Sequence, residues 1–172
     1  FALEVLSLDA FRCEFMGRQW GVPAELLCYE KPYTYREALA FSLLHDVLVR
    51  GSLGGNLELE SKLWKGMEAF GRDKAVFIPY WEDNYVDLGP TEEIMASVWS
   101  RAEEGAVVIV SNLGGAKADV TVDLDLEGLA LPAQVTATDL ITEVPMPVKD
   151  GGVMEFPLDS FAFRVLWIRP AQ

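Results

Sequence analysis

Apolar residues recur at helical spacing in the first part of the chain and at alternate positions in the rest. Phe11, Phe15 and Met16 share one face of an expected helix. Ser7 or Asp9 can cap it, and it runs to about Trp20, where Gly21 and Pro23 supply a stop. The run Ala-Glu-Leu-Leu-Cys-Tyr over 24–29 predicts a short buried strand. Thr34 and Glu37 have capping-box spacing and open a helix expected to reach about Arg50, with Leu39, Leu43, Leu44, Val47 and Leu48 as its apolar stripe. The glycine-rich stretch 51–55 reads as a loop. A third helix, about 57–70, carries Leu59, Leu63, Met67 and Phe70 at core spacing.

The period then shortens from 3.6 to 2. Strands are expected at 75–81, 94–101, 106–113, 118–125, 134–139, 153–157 and 161–169. Val120, Val122 and Leu124 alternate with Thr121, Asp123 and Asp125, as a half-buried strand requires. Glu103–Gly105 and Lys149–Gly152 have hairpin-turn chemistry. Short strands separated by turns predict a two-sheet antiparallel sandwich, with Val108, Val110, Val122 and Trp167 or their neighbours in its core.

The expected fold class is therefore α+β. Residues 1–73 form an α/β segment of order β-α-β-α-α, and residues 74–172 form the sandwich. A lone unit of that order would leave its parallel sheet uncovered, so further strands are expected upstream, as in the last units of a (β/α)8 barrel. An opening in the apolar run Phe1–Leu6 agrees with a start inside a longer protein. Helices 34–50 and 57–70 are expected to pack on the sandwich through Trp64, Phe70, Tyr80 and Trp81.

Composition narrows the partners. A net charge of -13 repels a phosphate backbone, so nucleic acid is excluded as a partner. No apolar run reaches the ~20 residues of a membrane span. Cys13 and Cys28 are too few for a disulfide framework or a zinc site and are expected to be buried thiols. The 51–55 loop lacks the Gly-Lys-Ser/Thr ending of a phosphate loop. Asp119, Asp123, Asp125 and Glu127 splay along one strand and its exit, which suits a solvated face better than a calcium site. No cofactor and no metal are expected. Oligomeric state leaves no mark on the sequence.

Four stretches carry a family resemblance. They are Phe15-Met-Gly-Arg-Gln-Trp-Gly21, Leu43-Leu-His-Asp-Val-Leu-Val-Arg50, Phe70-Gly-Arg72 with Ile78-Pro-Tyr-Trp-Glu-Asp-Asn84, and Ala106–Leu113 with Asp139-Leu140 and Ser160–Leu166. Together they resemble the C-terminal region of barrel glycoside hydrolases, most nearly glycoside hydrolase family 123. The resemblance implies a carbohydrate substrate, cleavage of a glycosidic bond, and a secreted or periplasmic protein. Glycosidases need two carboxyl groups, or one and a substrate amide, facing one sugar. The family carries them on middle barrel strands, so the catalytic residues are expected upstream of Phe1 and this chain alone is expected to be inactive. Two other readings are a non-catalytic sandwich module that binds carbohydrate or protein, and a structural domain of an assembly.

Within the chain, five residues are candidates for touching substrate. Glu30 follows the predicted strand 24–29 at the end where barrel active sites lie, and can accept from a sugar hydroxyl; it is equally a solvated loop acid beside Lys31. Tyr29 and Tyr33 cluster near it with Tyr35 and can stack on a sugar ring or pack on the core. His45, the only histidine, is a structural residue or a contact at the barrel mouth. It does not form a catalytic pair with Asp46, because adjacent helical residues point about 100° apart. Trp81, in the run Tyr80–Asn84, lines a sugar subsite or the seam where sandwich meets barrel.

Overall fold

The structure, a computed structural model, describes residues 8–15, 25–28, 33–51 and 56–171. Its first layer contains α1 (Leu8–Phe15), β1 (Glu25–Cys28), α2 (Tyr35–Ser42), β2 (Leu48–Gly51) and α3 (Leu57–Phe70). β1 and β2 pair in parallel, with Glu25 opposite Leu48 and Cys28 opposite Gly51. The capping box is formed: the Glu37 amide donates to Thr34 Oγ1 (3.2 Å) and the Thr34 amide to Glu37 Oε2 (2.7 Å). The side chain of Asn56 caps α3 by accepting from the Leu59 amide. Glu58 and Glu60 lie in the first turn, where the helix dipole favours them. Gly71 closes this helix at φ +80°, a conformation that costs a residue with Cβ.

The helix expected over 34–50 stops early. After Ser42 the chain tightens into a 3₁₀ turn, Leu43–His45, and Asp46 turns it left-handed at φ 55°. Val47 to Val49 are apolar at consecutive positions, a pattern that fits a short strand as well as a helix. Pairing with β1 decides between them, because it gives this backbone its hydrogen bonds. The first expected helix is described as Leu8–Phe15, and the strand expected over 24–29 as Glu25–Cys28; residues 1–7, where the first strand of the expected order falls, Trp20 and the loop 52–55 lie outside the described residues. Among the described residues the parallel strands are one pair and not a closed barrel.

The second part is a two-sheet antiparallel sandwich. Its strands are β3 (Val76–Ile78), β4 (Val86–Asp87), β5 (Ile94–Arg101), β6 (Gly105–Asn112), β7 (Ala118–Leu124), β8 (Val135–Asp139), β9 (Pro145–Met146), β10 (Met154–Leu158) and β11 (Phe163–Pro170). One sheet has six strands in the order β3-β5-β6-β11-β8-β9, and the other has three in the order β10-β7-β4. β4 and β9 are two-residue strands that period-2 reading of the sequence passes over. The β5–β6 hairpin needs Gly105: at φ +146° a Cβ there would meet the Ile168 carbonyl oxygen at 2.6 Å.

Both faces of the six-stranded sheet are covered. Trp99, Val107, Ile109, Phe163 and Val165 point toward α2 and α3 and share a core with Leu39, Leu44, Leu63, Met67 and Phe70. Val98, Val108, Val110, Leu166 and Ile168 point the other way and meet Val120, Val122, Met154 and Phe156 of the small sheet. Val108, Val110 and Val122 are thus in the sandwich core as expected, whereas Trp167 is half-buried on the helix side, 6.2 Å from Phe70 in an edge-on contact. Its neighbours Leu166 and Ile168 take the core positions, since adjacent strand residues face opposite ways. Cys28 is buried, but Cys13 is exposed, against the expectation of two buried thiols.

This layering makes a testable statement. Ile109→Ala and Leu166→Ala remove side chains that enter different cores, and each is expected to cost about 2–5 kcal/mol in denaturant unfolding. If Ile109→Ala left the midpoint unchanged while Leu166→Ala lowered it, the helices would not be an integral layer.

Candidate functional site

The one buried imidazole sits where the first layer meets the sandwich. His45 is 3% exposed, and its Nδ1 lies 2.8 Å from the Phe41 carbonyl oxygen. A carbonyl only accepts, so Nδ1 carries the proton and Nε2 is the lone-pair nitrogen. The Tyr80 hydroxyl is 3.4 Å from Nε2 and donates to it. Tyr80 meets the imidazole edge-on at 5.4 Å, Trp81 lies tilted beside it at 5.5 Å, and the two aromatic rings are 4.9 Å apart. Burial drives the His45 pKa down to about 4, against the hydrogen bond to Phe41, and Arg12 lowers it further. The same burial pushes the Tyr80 hydroxyl up to about 12.

Ser97 of β5 ties this corner together. Buried completely, it donates to the Leu44 carbonyl at 2.9 Å and accepts the Tyr80 amide at 3.0 Å. Asp46 pairs with Arg72, whose guanidinium stacks on Trp99 at 4.6 Å and Trp64 at 5.8 Å. Burial raises the Asp46 pKa, and Arg72 opposes that rise. Beside the pair is a void of about 20 Å³, room for one water, bounded by Leu43, Trp64, Trp99 and Ile109.

The other candidates lie elsewhere. Tyr33 packs on Phe41 at 6.2 Å and Phe161 at 5.5 Å, which locks the start of α2 to the turn before β11. Tyr35 is buried and donates to the Val49 carbonyl. Tyr29 and Glu30 lie outside the described residues. His45 precedes β2, so it and Trp81 stand at the amino ends of the parallel strands. Active sites of parallel α/β folds gather at the carboxyl ends of their strands. Arg72 and Ser97 escaped sequence reading because their partners are 26 and 53 residues away. Among the described residues no cluster of three His, Cys, Asp or Glu could hold a metal ion, and no helix is long and apolar enough to cross a membrane.

No protein-family model matches the sequence, and no curated protein matches it either. Solved structures do match in fold. An α-N-acetylgalactosaminidase assigned in Bacillus halodurans C-125 is similar over 82% of this chain and 32% of its own, with a TM-score of 0.56 and 15% identity. A GH27 β-L-arabinopyranosidase from Geobacillus stearothermophilus is similar over 81% and 31%, with a TM-score of 0.51 and 14% identity. An Anoxybacillus α-amylase gives 79% and 33%, with a TM-score of 0.52 and 14% identity. The chain spans about a third of the length of these structures, and at such identity the likeness is one of fold.

His45 gives the corner a pH dependence. Its folded pKa of about 4 lies below the ordinary 6.5, so the imidazole stays neutral when folded and takes a proton when unfolded. Stability from this group is full above 6.5 and falls as pH drops toward 4, by roughly 3 kcal/mol at most. The raised Asp46 pKa acts oppositely, favouring the folded state as that carboxylate protonates, and offsets part of the loss. His45→Gln is expected to flatten the unfolding free energy between pH 6.5 and 4, read by tryptophan fluorescence. A variant with the wild-type slope would show that His45 does not generate it.

Proposed function

We propose that this chain is the C-terminal part of a glycoside-hydrolase-type protein that acts on carbohydrate. In this reading residues 1–73 are the last units of a (β/α)8 barrel, and residues 74–172 are the sandwich that braces them. One observation carries it: a parallel β-α-β unit and a two-sheet sandwich share a core across one face of the larger sheet. The same fold over about four-fifths of the chain in sugar-cleaving enzymes supports it. The finer affinity to family 123 rests on the four sequence stretches.

The catalytic carboxyl pair belongs upstream in this reading, and the chain supplies backing for the barrel wall. Tyr29, Glu30 and Tyr33 follow β1 in the chain and are its nearest candidates for the sugar cleft. The longer protein that carries this chain is expected to hydrolyse members of an aryl-glycoside panel, while the purified 172-residue chain turns over none. Turnover by the short chain, lost on replacing one of its own carboxylates, would overturn the reading and make Glu30 the first suspect. A longer protein that binds glycans without cleaving any would favour the non-catalytic module.

A further inference from the structure

The six-stranded sheet has an open stretch of edge. β3 pairs with β5 from Val98 to Ser100, so the earlier half of β5, Ile94–Ser97, has β6 on one side and no strand on the other. The register tells which main-chain groups face that side. The Leu113 amide donates to the Glu93 carbonyl across the β5–β6 ladder, so odd-numbered residues here bond β6, and Ile94 and Ala96 point away from it. The excursion from β3 through β4 and back to β5 meets two of their groups with side chains. Thr91 Oγ1 accepts the Ile94 amide at 3.1 Å, and Asn84 Nδ2 donates to the Ala96 carbonyl at 2.6 Å. The Ile94 carbonyl and the Ala96 amide have no partner among the described residues. Both residues line a hollow of about 230 Å³, together with Val86, Leu88 and Met95.

We infer that this hollow takes an extended, basic peptide segment, which adds itself to the open edge of β5. Extended chain passing Met95 offers an N–H to the Ile94 carbonyl and a C=O to the Ala96 amide, the pairing by which a strand joins a sheet edge. Main-chain groups of buried residues are rarely left without partners, because each unmade bond costs free energy, and Ile94 and Ala96 are 8% and 3% exposed. Other edges of the sandwich are closed to such a guest. The edge strands β9 and β10 carry Pro145 and Pro157, which lack the N–H that a new strand would use. Ile94–Ser97 carries no such block.

Charge selects the segment. From Ala75 to Ser100 the chain has no lysine or arginine, while Glu82, Asp83, Asp87, Glu92 and Glu93 stand along it. A second hollow of about 310 Å³ shares Val86 and Asp87 with the first and is lined by Asp83, Asp123 and Asp125. Among the described residues no lysine or arginine pairs with any of these four aspartates. Lysines or arginines flanking the paired stretch of a guest meet this field favourably, and an acidic segment is repelled.

The test uses the longer protein that carries this chain and an end-blocked, fluorescent Lys-Val-Lys-Val-Lys peptide. Anisotropy is expected to show binding that weakens with added salt, and hydrogen–deuterium exchange is expected to slow over residues 93–97 when the peptide is bound. The same peptide with every main-chain amide methylated keeps its charge and loses its donors, and is expected to bind about tenfold more weakly. Asp87→Asn with Asp123→Asn is expected to weaken the unmethylated peptide severalfold; asparagine keeps the oxygen that accepts the Gly89 amide. Equal affinity for the methylated peptide would mean attraction by charge without an added strand, and would sink the inference. Wild-type affinity in the double variant, protection confined to other segments, or no binding at millimolar peptide would do the same. Slowed exchange over 93–97 with a neutral oligosaccharide and not with the peptide would give the hollow to a glycan instead.

Discussion

Everything in this molecule leans on β6. All of its residues, Gly105–Asn112, are buried, and both neighbours, β5 and β11, pair with it along nearly its full length. Its odd positions enter the helix-side core and its even positions the sandwich core. Strands that face water on one side alternate, and one with covered faces reads as a continuous apolar run, which is why Ala106–Val110 has no polar residue. Each buried aliphatic side chain contributes about 1.5–3 kcal/mol by burial, so two layers are stabilised by one strand. The polar residues at its end show what burial demands. Asn112 Nδ2 faces the carbonyls of Ala116, Leu158 and Asp159 at 2.8–3.1 Å, and Oδ1 takes the Gly114 amide. It pins together two of the loops that cross between the sheets, β6–β7 and β10–β11. The Ser111 hydroxyl beside it has no partner within the protein.

Scarce cations serve as ties. Against 27 acidic residues the chain has 14 Lys and Arg. Several acids lie on the outer face of the small sheet, where Asp119 and Asp123 of β7 are exposed to water. Arg72, Arg101 and Arg164 are instead placed half-buried between elements. Arg101 of β5 donates to the Phe70 carbonyl at 2.6 Å, satisfying a helix C-terminus that has no basic residue of its own in the last turn. Arg164 of β11 reaches Asp139 at the end of β8 (2.9 Å), and that carboxylate also caps the Ile141 and Thr142 amides. Arg72 joins the left-handed turn at Asp46 to two tryptophans from different elements. Such partly buried ties add geometric definition more than net stability.

Local signals were legible in the sequence where local forces decide. The capping box at Thr34, the full span of α3 and the seven longer strands follow from periodicity and turn chemistry, with boundaries moved by a residue or two and β3 cut to three residues. What the sequence hid was set by distant partners. Residues 48–51 are a strand because β1 lies alongside, and β4 exists because Val86 and Asp87 find Leu124 and Asp123. Trp167 is large and apolar, yet one place in the alternation sends it to the helix side. At the candidate site, Tyr80 and Trp81 stood out as an aromatic pair in a polar run. The imidazole behind them is 35 residues away from Tyr80, and nothing local records that contact.

The shared sheet also constrains how the two parts can serve one function. A binding module joined by a linker moves on its own, because its core closes within itself. Here Phe70 leads into β3 through only a 3₁₀ turn, and among the described residues Trp99, Val107, Ile109, Phe163 and Val165 share their core with the first layer, its helices and its parallel strands. Pulling the first layer away would bare that whole face and cut the bonds from Ser97 and Arg101. The two parts must therefore open together or not at all, as one cooperative unit. A sandwich so fixed cannot swing toward a substrate. It holds the parallel strands in place from behind, and any ligand it contacts must be met by surfaces that are already rigid.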